Sequence, residues 1–155
     1  MNLIDTFKRC IAAGLGALLV TSAAFAADQG TPAEAEAMVK KAEALIKSKG
    51  PAAYEEISTS KDFKDRDLYV VVFDLNGKNL AHGTNPKLIG KDLMAIKDVD
   101  GKPFIKMITD IAKEKGKGWS DEFKFMNPAT HNIEPKTMYV ERLGDILVGC
   151  GVHKS

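Results

Sequence analysis

The sequence predicts an α+β domain: a five-stranded, largely antiparallel sheet with a long helix on one face and shorter helices and loops against the other. Three observations carry this expectation. Thr31-Pro32-Ala33-Glu34 opens an alanine-rich stretch that runs to Lys49. The apolar, β-branched run Leu68-Tyr69-Val70-Val71-Val72-Phe73 meets Asp74-Leu75-Asn76-Gly77 and then a shorter apolar segment, the composition of a buried hairpin. The C-terminal third alternates strand-like runs with turn residues. The order of two helices, two strands, further helices and then three strands suits such a sheet with helices against its faces.

Residues 1–26 read as a secretory signal peptide. Lys8 and Arg9 form a basic start, residues 11–20 carry no charge, and Ala24-Phe25-Ala26 places small residues where a signal peptidase reads. The apolar run falls short of the roughly 20 residues of a membrane span. Cleavage leaves 129 residues, one domain, with 20 basic and 20 acidic side chains. That balance excludes the positive field of a nucleic-acid-binding protein and gives no sign of electrostatic membrane binding. The expected location is outside the cytoplasm, in a bacterial periplasm. Cys150 is then the sole cysteine, so no internal disulfide forms and the core must hold the fold. Within Val148-Gly149-Cys150-Gly151-Val152 it reads as a small buried apolar residue, with an intermolecular disulfide as the alternative.

Thr31 can cap the first helix, Pro32 suits its first turn, and Glu34 can close a capping box, which predicts a helix over residues 32–49. Its apolar stripe is expected at Ala35, Met38, Ala42, Leu45 and Ile46. Gly50 ends it and Pro51 starts a short second helix over residues 52–58. The hairpin follows a charged, turn-like segment, and the sheet core is expected over residues 67–153. Residues 90–96 can form one or two helical turns, and residues 103–115 an amphipathic helix with Phe104, Met107, Ile108 and Ile111 on one side. Residues 119–126 read as one strand with Trp119, Phe123 and Phe125 on a common face. Residues 136–142 and 146–153 form the last two strands, joined by Leu143-Gly144-Asp145.

Candidate chemistry is sparse. The three histidines, His82, His131 and His153, show no ligand spacing, and no haem-attachment motif is present, so neither metal nor cofactor is expected. Cys150 and His153 sit three apart in a strand and point to opposite faces, which argues against a catalytic pair. No nucleophile–base motif or phosphate loop appears, and no enzyme is expected. Asp98-Val99-Asp100-Gly101 resembles a calcium loop only faintly: with Gly101 at the sixth position, Ile96 and Met107 fall where oxygen ligands belong. It reads as a turn. Lys136 and Tyr139 form the most interesting polar pair. A lysine facing a half-buried pocket can anchor a carboxylate, and a tyrosine hydroxyl can add a hydrogen bond. The alternative is a solvated edge lysine beside a packed tyrosine. Strict alternation places the two on opposite faces unless the backbone is irregular after Pro135.

In order and spacing, several runs together resemble the single Cache domain family of PAS-like extracellular sensors. They are YVVVFD (69–74), Asn76-Gly77, LAHG (80–83), NPKLIG (85–90), DVDGKPF (98–104), Gly118-Trp119, Asn127-Pro128, EPKTMYVER (134–142) and VGCGV (148–152). The resemblance covers most of the mature chain. It implies a long N-terminal helix on a five-stranded antiparallel sheet, with a ligand pocket between the other face and the middle loops. It also implies binding of a small metabolite, often a short organic acid. Lys136 and Tyr139 match the family's strand motif, and His82, Trp119, Phe123 and Phe125 fall on matching pocket segments. Where the family often has a tyrosine this chain has Phe123, which removes one hydroxyl. With the chain ending just after the last strand, the expectation is a stand-alone exported sensor module without its own membrane or output segment. The alternative is a ligand-free protein that docks on a membrane receptor, kinase or transporter.

Overall fold

The computed structural model describes residues 29–154; the expected signal peptide lies outside them. The first helix, α1 (Pro32–Lys49), starts as its sequence dictates. Thr31 Oγ1 accepts from the Glu34 N–H, and the Glu34 carboxylate accepts from the Thr31 N–H at 2.7 Å, a complete capping box. Its buried face is Ala35, Val39, Ala42, Glu43 and Ile46. That stripe is rotated from the expected one: Met38 and Leu45 lie half-buried at its margin, and a carboxylate, Glu43, lies within it. The short helix α2 (Ala53–Thr59) packs Ala53 and Ile57 beside α1.

The strands are β1 (Lys64–Asp65), β2 (Leu68–Asp74), β3 (Asn79–His82), β4 (Lys117–Trp119), β5 (Phe123–Met126), β6 (Ile133–Leu143) and β7 (Ile146–His153). All pairings are antiparallel. The short strands β1 and β3 pair with one side of β2, and β4 and β5 with one side of β6. The sheet therefore has five positions, with β7 at its centre. Along β2, Leu68, Val70 and Val72 face α1, whereas Tyr69, Val71 and Phe73 face the other side; none is more than 2% exposed. Burial on both faces is what an uninterrupted apolar strand requires.

The helix α3 (Phe104–Lys115) covers the second face with Phe104, Ile105, Ile108, Thr109 and Ala112, while Met107 and Ile111 border it. Thr109 can be buried because its hydroxyl donates to the Ile105 carbonyl at 2.8 Å. Residues 90–96 form no helix. They run as linked turns, with a single short helical turn earlier at Pro86–Leu88.

The expected single strand over residues 119–126 is broken in two. Trp119 pairs with Tyr139 and Phe123 with Lys136. Between these pairs the edge advances four residues while β6 advances three. The odd residue inverts the alternation, as a bulge does. Ser120 sits in the break, donating its N–H to the Met138 carbonyl at 2.8 Å and accepting the Met138 N–H on Oγ at 3.0 Å. Trp119 and Phe123 consequently face opposite sides of the sheet.

Candidate functional site

The site grows out of β6. Its alternation turns Lys136, Met138 and Val140 towards α3. The Lys136 side chain is fully buried. Across the sheet, Gly151 faces Met138, and a Cβ on Gly151 would collide with Lys136 Cε. The missing side chain thus opens a slot for the lysine stem. Lys136 Nζ accordingly reaches Tyr69 on β2. It donates to Tyr69 Oη at 2.8 Å and sits 4.0 Å from the centre of that ring and 5.6 Å from the centre of Phe125. Lys136 makes no salt bridge with any carboxylate among the described residues.

His82, at the end of β3, stacks on Tyr69 with ring centres 5.1 Å apart. Its Nδ1 accepts from the backbone N–H groups of Asn85 (3.0 Å) and Thr84 (3.3 Å). Burial, reinforced by the Lys136 charge, pushes its pKa down to about 4. The ring is therefore neutral near pH 7, and its proton sits on Nε2, the group it can offer to a ligand.

The remaining walls are apolar. Val71, Phe73 and Met138 form the floor; Phe123 and Phe125 form one side; Leu88, Leu93, Ile96 and Phe104 form the roof. Phe104 stacks on Phe123 at 4.8 Å and meets Phe125 edge-on at 5.4 Å. They enclose a chamber of about 30 Å³. An outer cleft of about 470 Å³, bordered by Thr84, Asn85, Met126, Pro128 and His131, shares the walls Tyr69, His82, Leu88 and Phe125 with it. Chemically, the chamber offers one ammonium, one phenol and one imidazole N–H at the end of an otherwise apolar hole.

Of the six side chains the sequence singles out, the fold brings four together: Lys136, His82, Phe123 and Phe125. It separates the other two. Tyr139 faces α1, because three steps along an unbroken strand change sides, and its hydroxyl donates to Glu141 Oε1. Trp119 is carried to the same face by the break after it. It packs on Tyr139 at 5.5 Å and donates Nε1–H to Glu36 Oε1 at 2.9 Å. In the same seam, Lys40 Nζ lies 2.6 Å from each oxygen of Glu141, and Glu43 hydrogen-bonds to Glu141. Tyr139 and Trp119 thus tie the sheet to α1 and line no part of the chamber.

Tyr69 is the polar chamber residue that the sequence reading passed over. A signal was present: it is the one polar-tipped side chain in the apolar run from Leu68 to Phe73, and a buried tyrosine hydroxyl needs a partner. Burial places Cys150 inside the α1-side core and pushes its thiol up to about 12, so it is inert packing.

Among the described residues no helix is long and apolar enough to cross a membrane. The family model of Single Cache domain 2 matches residues 5–153. The chain is 30% identical over 91 residues to the methyl-accepting chemotaxis protein McpP of Pseudomonas putida, a stretch that covers 57% of this chain and 16% of that protein. A methyl-accepting chemotaxis protein from Vibrio parahaemolyticus superposes with a TM-score of 0.67 at 26% identity, covering 78% of this chain and 86% of that one. A Cache chemosensory domain, solved as a structural basis for carboxylic acid recognition, shares the fold with a TM-score of 0.68 at 24% identity, covering 79% and 92%. The chain belongs to the Single Cache domain 2 family, related to the sensor domains of chemotaxis receptors.

Proposed function

We propose that the chain is an exported sensor module that binds a short monocarboxylate in the chamber beneath α3. The observation that carries this reading is Lys136, a fully buried lysine without a carboxylate partner among the described residues. Leaving a charge in such a place costs several kcal/mol by rough estimate, and an anion arriving at Nζ offsets that cost. Tyr69 Oη and His82 Nε2–H supply the further hydrogen bonds a carboxylate needs. With one cation and otherwise apolar walls, the chamber suits a single carboxylate bearing a hydrocarbon tail; a second carboxylate would be buried unpaired. Its volume of about 30 Å³ favours a tail of one or two carbons. The carboxylic acid recognition described for one structural relative fits the same chemistry. Residues 1–26 would export the module, and its role is binding rather than turnover.

A thermal-shift screen of acetate, propionate, pyruvate, succinate and citrate tests this. A monocarboxylate at about 100 times its dissociation constant adds about 2.7 kcal/mol, a shift on the order of 10 °C. The shift should vanish in Lys136→Ala. Stabilisation by none of the acids, or equal stabilisation of the variant, would overturn the reading.

A further inference from the structure

The turn over residues 98–102 is needed neither as a metal loop nor as a chamber wall, yet it is held more tightly than a surface turn requires. Asp98 Oδ1 accepts from the N–H groups of Asp100 (3.0 Å) and Lys102 (2.8 Å), which builds the turn itself. Its other oxygen, Oδ2, leaves the turn and accepts from the N–H of Lys124 in β5 at 2.8 Å. Lys124 is opposite Pro135 in the sheet, but the Pro135 carbonyl is turned the other way, accepting from the Lys154 N–H just past β7 at 2.8 Å. The two therefore form a non-hydrogen-bonded pair, and the Lys124 N–H points out from the sheet edge. Two further contacts join the same pieces: Lys124 Nζ to Asp100 Oδ2 at 3.0 Å, and Lys102 Nζ to the Glu122 carbonyl. Ile96 and Phe104, which flank the turn, belong to the chamber roof; Phe123 and Phe125, which flank Lys124, form its side wall.

We infer that Asp98 is a positioning residue for ligand binding: its carboxylate latches the roof of the chamber to β5, and release of that latch sets the rate at which a ligand enters and leaves. The inference rests on the chamber being the ligand site, as proposed above. Two observations point to a latch rather than a mere turn. One carboxylate divides its oxygens between the turn and the wall. In addition, the space beneath the roof is only about 30 Å³, against about 470 Å³ in the outer cleft beside it. These backbone bonds, that from Lys124 foremost, hold the Asp98 carboxyl below its ordinary value, so the latch is charged at neutral pH.

The test is Asp98→Asn in the full chain. With its oxygen in the Oδ1 position the amide keeps both turn bonds, but its NH₂ cannot accept from Lys124. Two readouts are taken. Amide hydrogen exchange of the ligand-free protein should show Lys124 and residues 96–104 losing protection at least tenfold, with α1 and β7 unchanged. Line-shape analysis of ¹³C-propionate should show association and dissociation both at least fivefold faster, with a smaller change in affinity; a merely structural turn would change neither rate while the melting temperature holds. Unchanged exchange at Lys124, or unchanged rates in a variant that still binds, overturns the latch. If the wild-type protein binds no monocarboxylate, the ligand reading fails by itself, and the exchange arm alone decides whether Asp98 holds the roof.

Discussion

The two faces of β6 treat buried charge in opposite ways. Towards α1, the Glu141 carboxylate is met by Lys40 and Tyr139, and Glu43 lies hydrogen-bonded against it. Towards α3, five residues earlier on the same strand, Lys136 is buried deeper and meets only a phenol and two aromatic faces. A buried charge answered from within the protein fastens one element to another. One left unanswered is a place kept for something from outside. The difference should therefore separate stability from binding when each face is altered.

The largest effect is expected at Lys136. Lys136→Met removes the cation but keeps most of the volume. Titration calorimetry should show monocarboxylate affinity lower by 100-fold or more, in line with the roughly 2–5 kcal/mol seen when one partner of a buried charge pair is removed. Urea denaturation of the ligand-free variant should show stability unchanged or increased, because an unpaired buried ion has become apolar packing. Glu141→Ala should do the reverse. It strips the acceptor from Tyr139 and Lys40 and should lower stability by about 1–3 kcal/mol with affinity intact. Equal losses of both properties in both variants would erase the distinction between the faces.

A smaller effect is expected at Tyr69. Tyr69→Phe leaves the ring beneath the ammonium and removes only the hydroxyl. Affinity should fall about fivefold, corresponding to about 1 kcal/mol for one hydrogen bond. An unchanged affinity would mean that the phenol only parks Lys136 in the empty chamber.

The smallest effect is a dependence on pH at the α1 seam. Burial, and then the Glu141 charge, raises the Glu43 pKa. Its contribution is full below the ordinary carboxyl value of about 4.3 and is lost as pH rises through its folded pKa. Burial works to raise Glu141 as well, but Lys40 and Tyr139 outweigh it and hold its pKa low. That contribution is full above about pH 4.3 and is lost as pH falls through the folded pKa. The pair therefore stabilises most near that pH and gives up part of the gain towards neutrality. Glu43→Gln keeps a hydrogen-bond donor that cannot titrate. The melting-temperature difference between variant and wild type should move in the variant's favour as pH rises from about 4.5 to about 7. His82 titrates in this range too: its contribution is full above about pH 6.5 and is lost on the way down to about 4. It does so in both proteins alike and cancels in the difference. A difference independent of pH would take the proton out of the seam.

What the sequence made legible follows the range of the forces involved. The capping box, the buried run of β2 and the limits of β7 are local, and they stand where composition and turn chemistry put them. The strand break at Ser120 was not legible, because it depends on how many residues of β6 lie opposite; one unmatched residue then sent Trp119 to the far face. Tyr139 is instructive in another way. Plain alternation already set it opposite Lys136, and only the family motif drew the two into one pocket. Gly151 looks like any strand glycine until the lysine stem is seen lying over it. Asp98 read as an ordinary turn residue because its second partner, Lys124, lies 26 positions away.

The central claim is that Lys136 is the counter-ion of a bound carboxylate, and a crystal structure of the protein grown with propionate tests it most directly. The expected result is a carboxylate oxygen about 2.8 Å from Lys136 Nζ, with the hydrocarbon tail against Phe123 and Phe125. Propionate in the outer cleft or at the α1 seam, with Lys136 still bonded only to Tyr69, would contradict it.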